Sequence, residues 1–113
     1  MNESRLGKIQ SIRFGFGGRD DLMFGISFTL GGKGWGVGDF WGYWGSDIDP
    51  TASSGFKWNE ADRNGQRLEI LLKIEDLMRK AKVLDVTKLV GVPVEVEFDG
   101  TLLKSWRVLW EVL

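Results

Sequence analysis

The chain has 113 residues, 42% hydrophobic and 27% charged, so it fits one folded globular domain and excludes a disordered chain. Its 15 basic and 16 acidic side chains give a net charge of −1, which excludes nucleic-acid binding through overall positive charge. The absence of cysteine and histidine excludes disulfides, thiolate metal sites and a histidine general base.

No targeting or membrane segment is recognisable in the sequence. The opening residues MNESRLGK lack the apolar stretch of a signal peptide, and no apolar run approaches the length of a membrane span. We therefore expect a cytoplasmic protein without a membrane partner, forming a single domain over residues 1–113. The only clustered basic residues lie between Arg63 and Lys82, where acidic residues interrupt them, so we expect no nucleic-acid partner.

Two antiparallel strands are predicted in the first third of the chain. Residues 8–16 and 24–30 alternate apolar with polar or glycine residues, as half-buried strands do. The turn-rich segment 17–21 joins the two strands, and Gly31-Gly32 is predicted to make the next turn.

A third strand follows, with two very different faces. One face carries Trp35, Val37, Asp39 and Trp41. The other consists of Gly34, Gly36, Gly38, Phe40 and Gly42. A strand face made almost entirely of glycine indicates close approach by another backbone or by a ligand.

One long helix is predicted after a loop at 43–57. Asn59 is a favourable N-cap, and Asp62 stands three residues later in a capping-box position. Apolar residues then recur at helical spacing as far as Ala81, which predicts a helix from Asn59 to Lys82 that crosses the sheet. Gly65 within this helix indicates a close crossing.

The last third of the chain predicts a short turn at 85–89 and a second hairpin. Residues 94–98 alternate, and Asp99-Gly100 favours a type I′ turn. The returning strand is predicted to place Trp106, Val108, Trp110 and Val112 on one face. Its apolar character on both faces indicates a central strand, or one covered by a partner subunit in a homodimer.

The predicted order β-β-β-α-β-β implies an α+β fold, in which an antiparallel sheet of about five strands packs against the long helix. No catalytic motif accompanies it. The glycines at 31–36 precede a strand instead of the helix that a phosphate-binding loop needs. Asp20, Asp39 and Asp49 are the carboxylates on which an enzyme or metal site would depend, and 47–50 is a candidate cation loop. Solvated turns are the simpler interpretation, so we expect no enzyme, cofactor or metal.

The aromatic residues around the third strand are the stronger functional signal. Rings offer flat contact area, glycine lets a ligand approach closely, and nearby basic residues can contact an anion. The predicted ligand-binding residues are Arg19, Lys33, Trp35, Asp39, Phe40, Trp41, Tyr43, Trp44, Trp58, Arg63 and Arg107. For Trp35 and Trp41 a purely structural role in the core stays open, because both share the strand face of a core valine.

Ordered short motifs run through nearly the whole chain. They are Ser11-Ile12-Arg13-Phe14-Gly15, Gly34-Trp35-Gly36-Val37-Gly38-Asp39-Phe40, Lys57-Trp58, Glu60, Asp62-Arg63, Ala81-Lys82-Val83, Leu89-Val90-Gly91, Pro93-Val94-Glu95-Val96, Phe98-Asp99-Gly100 and Leu103-Lys104-Ser105-Trp106-Arg107. In these motifs the chain resembles a group of small proteins encoded by tailed phages and prophages. The resemblance implies a phage accessory protein in an infected bacterium and, by analogy, an inhibitor of host defence. It implies no activity.

Three functions compete at this point. The first is a non-catalytic protein that sequesters a nucleotide-type immune signalling molecule in an aromatic, glycine-lined pocket. The second is an inhibitor that binds a host defence protein through exposed Tyr43, Trp44 and Trp58. The third is a small enzyme or metal protein, which no motif supports.

Overall fold

The computed structural model describes residues 2–49 and 58–113 and has the predicted α+β architecture. The strands are β1 (Asn2–Gly17), β2 (Met23–Gly32), β3 (Trp35–Trp44), β4 (Pro93–Asp99) and β5 (Leu102–Val108), and the helix is α1 (Glu60–Ala81). Short 3-10 turns lie at Arg19–Asp21, Val86–Leu89 and Trp110–Val112. The strands form one antiparallel sheet in the order β3-β2-β1-β4-β5. Among the described helices, none combines the length and apolar character needed to cross a membrane.

Strand β1 joins the two halves of the sheet. Its first residues, 2–8, pair with β4, and residues 8–17 pair with β2. The register shifts between Ile9 and Ser11, so Gln10 is an extra residue without a partner on β2. A bulge of this kind bends a strand and increases its twist. The strand is longer than the sequence pattern predicts because its first half alternates too weakly to be recognised.

The hydrophobic core lies on the concave face of this bent sheet, beneath α1. Its buried side chains come from both halves of the sheet and from the helix: Ile9, Ile26, Phe28, Leu30, Val94, Val96, Val108, Leu77 and Ala81. Residues from Ile26 to Leu30 and from Val94 to Phe98 alternate along their strands, so every second side chain reaches this core. Leu68, Leu71 and Leu72 are exposed on the opposite side of α1.

The helix begins with the capping box that the sequence predicts. Asn59 Oδ1 accepts from the Asp62 N–H, and Asp62 Oδ2 accepts from the Asn59 N–H, both at 2.9 Å. The helix ends where Lys82 adopts a left-handed conformation. The prediction of a close crossing at Gly65 is wrong, because a Cβ at this position would meet nothing within 4 Å.

Two turns differ from their prediction. The β2–β3 turn is formed by Lys33 and Gly34, with Gly34 at φ 81°, whereas Gly31-Gly32 remains within β2. In the β4–β5 hairpin, Asp99 and Leu102 pair on either side of a two-residue turn. Only the first turn residue, Gly100, has a positive φ, so the turn is not type I′, which needs two.

The end of the chain also differs from its prediction. Strand β5 is an edge strand and stops at Val108, while Trp110 and Val112 lie in a 3-10 turn. The Leu109 N–H donates to the Pro93 carbonyl, and Pro93 is the first residue of β4. The ladder therefore ends here because β4 offers no further residue to pair with. Of the predicted loop 43–57, Tyr43 and Trp44 belong to β3, and 50–57 lie outside the described residues.

Candidate functional site

A single carboxylate links the two terminal strands of the sheet. Asp39 and Trp41 share the concave face of β3, and Trp41 Nε1 donates to Asp39 Oδ2 at 3.0 Å. Trp106 on β5 donates its Nε1 to the same oxygen at 2.7 Å. The Phe40 N–H donates to the other carboxylate oxygen at 2.9 Å. Asp39 therefore positions two indoles from strands that are not neighbours in the sheet.

The two indoles also stack on each other. The Trp41 and Trp106 ring centroids are 5.6 Å apart, with 17° between their planes. Phe28 on β2 contacts both rings edge-on, at 4.7 Å and 5.1 Å. Offset stacking and edge contacts are the favoured arrangements of aromatic pairs. The cluster therefore joins the two terminal strands of the curved sheet and forms an aromatic wall that faces α1.

A cleft of about 200 Å³ opens between this wall and α1. Its lining residues are Trp41, Trp106, Arg107, Val108, Lys73, Asp76, Leu77 and Lys80. Lys73, Asp76 and Lys80 lie three and four positions apart, so they share one face of the helix. The Lys73 ammonium lies 4.3 Å from the centroid of the Trp41 ring, in a cation–π contact.

The lining carries three cations and one carboxylate. Lys80 pairs with Asp76 at 3.0 Å. The Arg107 guanidinium forms two hydrogen bonds to Glu111 and one to Glu95. These hydrogen bonds raise the pKa of Arg107, and Glu111 makes the larger contribution. Among the described residues, Lys73 forms no ion pair and is held over the indole alone. Within the described part of the chain, the cleft therefore presents one cation that has no carboxylate in ion-pair contact.

The predicted ligand-binding residues do not lie in one place. Trp41 and Arg107 line the cleft, and Asp39 contributes to it only by accepting hydrogen bonds from its two indoles. Phe40 and Trp44 lie on the opposite face of β3, because they are out of phase with Trp41. The remaining residues are distributed over the ends of the molecule.

Arg19 and Lys33 lie at opposite ends of β2, whose ten residues span roughly 30 Å. Trp35 packs edge-on against Phe98 at 5.7 Å, with Arg5 close to both rings. Since β3 carries Trp35 and Trp41 six residues apart, the two indoles belong to different surroundings. One pocket cannot contain all of the predicted residues.

Arg63 has a network of contacts within the protein. Its side chain is 2% exposed and stacks on Trp58, 4.7 Å from the ring centroid. It donates to the Ser46 carbonyl at 3.3 Å and to the Ile48 carbonyl, and it pairs with Glu60 at 2.9 Å. These contacts hold the segment after β3 against the start of α1. Tyr43, the last of the predicted residues, contacts Arg67 at 4.9 Å.

The glycine face of β3 is partly explained by Phe40. A Cβ on Gly42 would overlap with Phe40 Cε2, so the phenyl ring occupies the space above this glycine. Gly36 and Gly38 are open, because a Cβ added at either position would have no neighbour closer than 3.7 Å. An intramolecular ring therefore accounts for one glycine, and the other two expose bare backbone.

Sequence reasoning missed six of the eight lining residues of the cleft, among them Lys73, Lys80 and Trp106. The spacing of the two lysines on one helix face was a detectable signal, but it does not reveal which strand the helix face meets. Trp106 was assigned to the correct strand and face without a role at the site, because its contact with Asp39 spans 67 positions of the sequence.

The functional assignment rests on the cleft, because comparisons with known proteins supply no relative. No protein-family model matches the chain, and neither the curated proteins nor the solved structures contain a match. In the part of the chain that the structure describes, no three acidic residues come together as a group that could hold a metal ion. Pro50 of the candidate cation loop lies outside the described residues.

Proposed function

We propose that this protein is a non-catalytic binding protein that takes a nucleotide-type anion at the cleft between α1 and the Trp41–Trp106 pair. The observation that carries the proposal is Lys73, an ammonium without a carboxylate partner among the described residues that lies over an indole in an open cleft. A phosphate provides the countercharge that Lys73 lacks, and charge-assisted hydrogen bonds of this kind are among the stronger ones.

The size of the cleft limits how the ligand enters. Pockets for whole drug-sized ligands have volumes of about 300–1,000 Å³, above the 200 Å³ of this cleft. One phosphate or one base fits inside, and the rest of the nucleotide lies along the exposed surface of β5 and α1. Lys80 and Arg107 border this surface but already pair with carboxylates, so Lys73 supplies the main attraction for the phosphate.

The resemblance to phage and prophage proteins supplies the biological context for the proposal. A phage protein that binds a nucleotide immune signal without turning it over lowers the signal's free concentration in the infected bacterium. We include this sequestering role in the proposal, since it requires only affinity and no catalytic group.

Calorimetric titration with cyclic dinucleotides, ADP-ribose derivatives and inorganic phosphate tests the proposal. We expect one nucleotide class to bind and Lys73→Met to weaken its binding at least about tenfold, or about 1.4 kcal/mol. Lys88→Met is the matched control, because Lys88 lies in the Val86–Leu89 turn, outside the cleft lining. Absence of heat and of thermal stabilisation with every compound contradicts the proposal, as does equal loss in both variants.

The alternative function, inhibition of a host defence protein, rests on Tyr43, Trp44 and Trp58. All three side chains are half-buried, and Tyr43 and Trp58 carry arginine contacts within the protein. The two arginines occupy part of the ring surface that a partner protein would contact. Stoichiometric capture of one host protein, lost in Trp44→Ala and retained in Lys73→Met, favours this alternative over the nucleotide cleft.

A further inference from the structure

The second half of β1 has a free edge. Among the described residues, only β2 pairs with residues 11–17, because the pairing of β1 with β4 ends at Lys8. Phe14 and Phe16 on this segment are 55% and 52% exposed. A free edge carries main-chain donors and acceptors to which another strand can add.

The direction of the ladder shows which residues offer these groups. The Ile9 N–H donates to the Val92 carbonyl, on the side away from β2. Because main-chain groups alternate sides along a strand, those of Lys8 point toward β2, where Gly31 is its partner. Counting back along β2 from Gly31, every second residue points its main-chain groups toward β1. The β1 partners of these residues are Ser11, Arg13, Gly15 and Gly17, whose own groups point toward β2. The main-chain groups of Ile12, Phe14 and Phe16 therefore point to the free side. Accordingly, the Phe16 carbonyl accepts from Arg13 Nη1 at 2.6 Å instead of from a strand.

We propose that residues 11–17 pair antiparallel with the same segment of a second copy of this chain, about a twofold axis at Phe14. This register pairs all seven residues, since Phe14 is the midpoint of the free segment. Phe14 lies opposite Phe14 of the second copy, and Ile12 lies opposite Phe16; aromatic and β-branched pairs of this kind stabilise sheets. Arg13 lies opposite Gly15, so no two like charges oppose each other.

The charge of the segment favours a second copy as the occupant, because Arg13 is the one charged residue in 11–17 and meets Gly15 in this register. The turn after β1 carries exposed Asp20 and Asp21, with Arg19 as its one basic residue. At the other end of the free edge, Gly91 and Val92 border Ile9, directly after the turn whose charged residues are Asp85 at its N-cap and Lys88. In an antiparallel dimer the acidic turn of each copy therefore lies beside a segment without net charge, so charge does not oppose the pairing.

Disulfide trapping tests the register, because the chain contains no cysteine. In the proposed dimer the two Phe14 positions form a hydrogen-bonded pair, with Cα atoms about 5.5 Å apart, within the range of a disulfide. Phe14→Cys should form a covalent dimer under mild oxidation. Phe16→Cys is the matched control of nearly equal exposure, and its two copies lie four residues apart along the ladder, about 13 Å.

Sedimentation tests the association itself. We expect the unmodified chain to dimerise reversibly, and Phe14→Lys to weaken the dimer at least about tenfold by opposing two ammonium groups. Leu102→Lys, which places the same charge at a 73% exposed position of the edge strand β5, should leave the dimer intact. A chain that stays monomeric at every concentration overturns the proposal. So does a dimer in which Phe14→Cys and Phe16→Cys cross-link equally.

Discussion

Trp41 and Trp106 stack at 5.6 Å although they belong to the two terminal strands of a five-stranded sheet. The contact is possible because β1 bends at its bulge and each half of the molecule pairs with a different half of that strand. Asp39 accepts both indole N–H groups and so fixes the relative orientation of the rings. The curvature of the sheet and the wall of the candidate site therefore depend on the same contacts.

Asp39→Asn should lower the free energy of unfolding by about 2 kcal/mol, because hydrogen bonds to a charged acceptor contribute about 1.5–3 kcal/mol. The amide keeps one acceptor oxygen for three N–H donors and directs its own donors at them. Urea denaturation measures the loss, and Glu69→Gln on the exposed side of α1 controls for the charge change. Equal stability of the two variants contradicts a structural role for the carboxylate.

Two glycine substitutions should act in opposite directions. A Cβ at Gly25 would overlap with the Trp41 carbonyl oxygen, so Gly25→Ala must displace the β2–β3 backbone and cost about 3 kcal/mol. A Cβ at Gly65 would meet nothing within 4 Å, so Gly65→Ala should gain up to about 1 kcal/mol from helix propensity. Thermal and urea unfolding of both variants measure the two signs. A stabilising Gly25→Ala is incompatible with the described packing of β2 on β3.

Arg63→Lys should destabilise the protein by about 2 kcal/mol and loosen the segment after β3. Lysine reaches one carbonyl at most, so either the Ser46 or the Ile48 oxygen loses its donor, and the stack on Trp58 is lost. Arg67→Lys on the same helix is the control, since Arg67 contacts exposed partners and should lose less than about 1 kcal/mol. Hydrogen exchange should become faster at residues 45–49 only in the Arg63 variant.

Asp85 should titrate below the ordinary pKa of an aspartate. The hydrogen bond from the Thr87 hydroxyl lowers the pKa first, and the Thr87 N–H lowers it further, both at 2.7 Å. Because the folded-state pKa is depressed, the stabilisation from this group is complete above its unfolded pKa and is lost as the pH falls through the folded pKa. Thr87→Val should raise the pKa in a carboxyl NMR titration, whereas Thr101→Val should leave it unchanged.

The accuracy of the sequence predictions follows how local the underlying physics is. The capping box at Asn59 and the placement of Trp41 and Phe40 on opposite faces of β3 involve neighbours within a few residues, and both were predicted. The turn at Lys33-Gly34 was placed two residues early, because four glycines in six positions offer several equivalent turns. The end of β5 was predicted too late, because it depends on where β4 begins and not on the residues of β5.

By itself, the amino-acid sequence determined the α+β order of elements, the face on which each β3 residue lies, and the start of α1, since periodicity and capping act over one or two turns of chain. The tertiary structure alone decided that Asp39 meets Trp106, that Lys73 lies over Trp41, and that Phe14 and Phe16 remain exposed at an edge of β1 with which no described strand pairs. Those outcomes depend on the bend of β1 and on which strands it brings together, and such long-range geometry leaves no pattern in the local sequence.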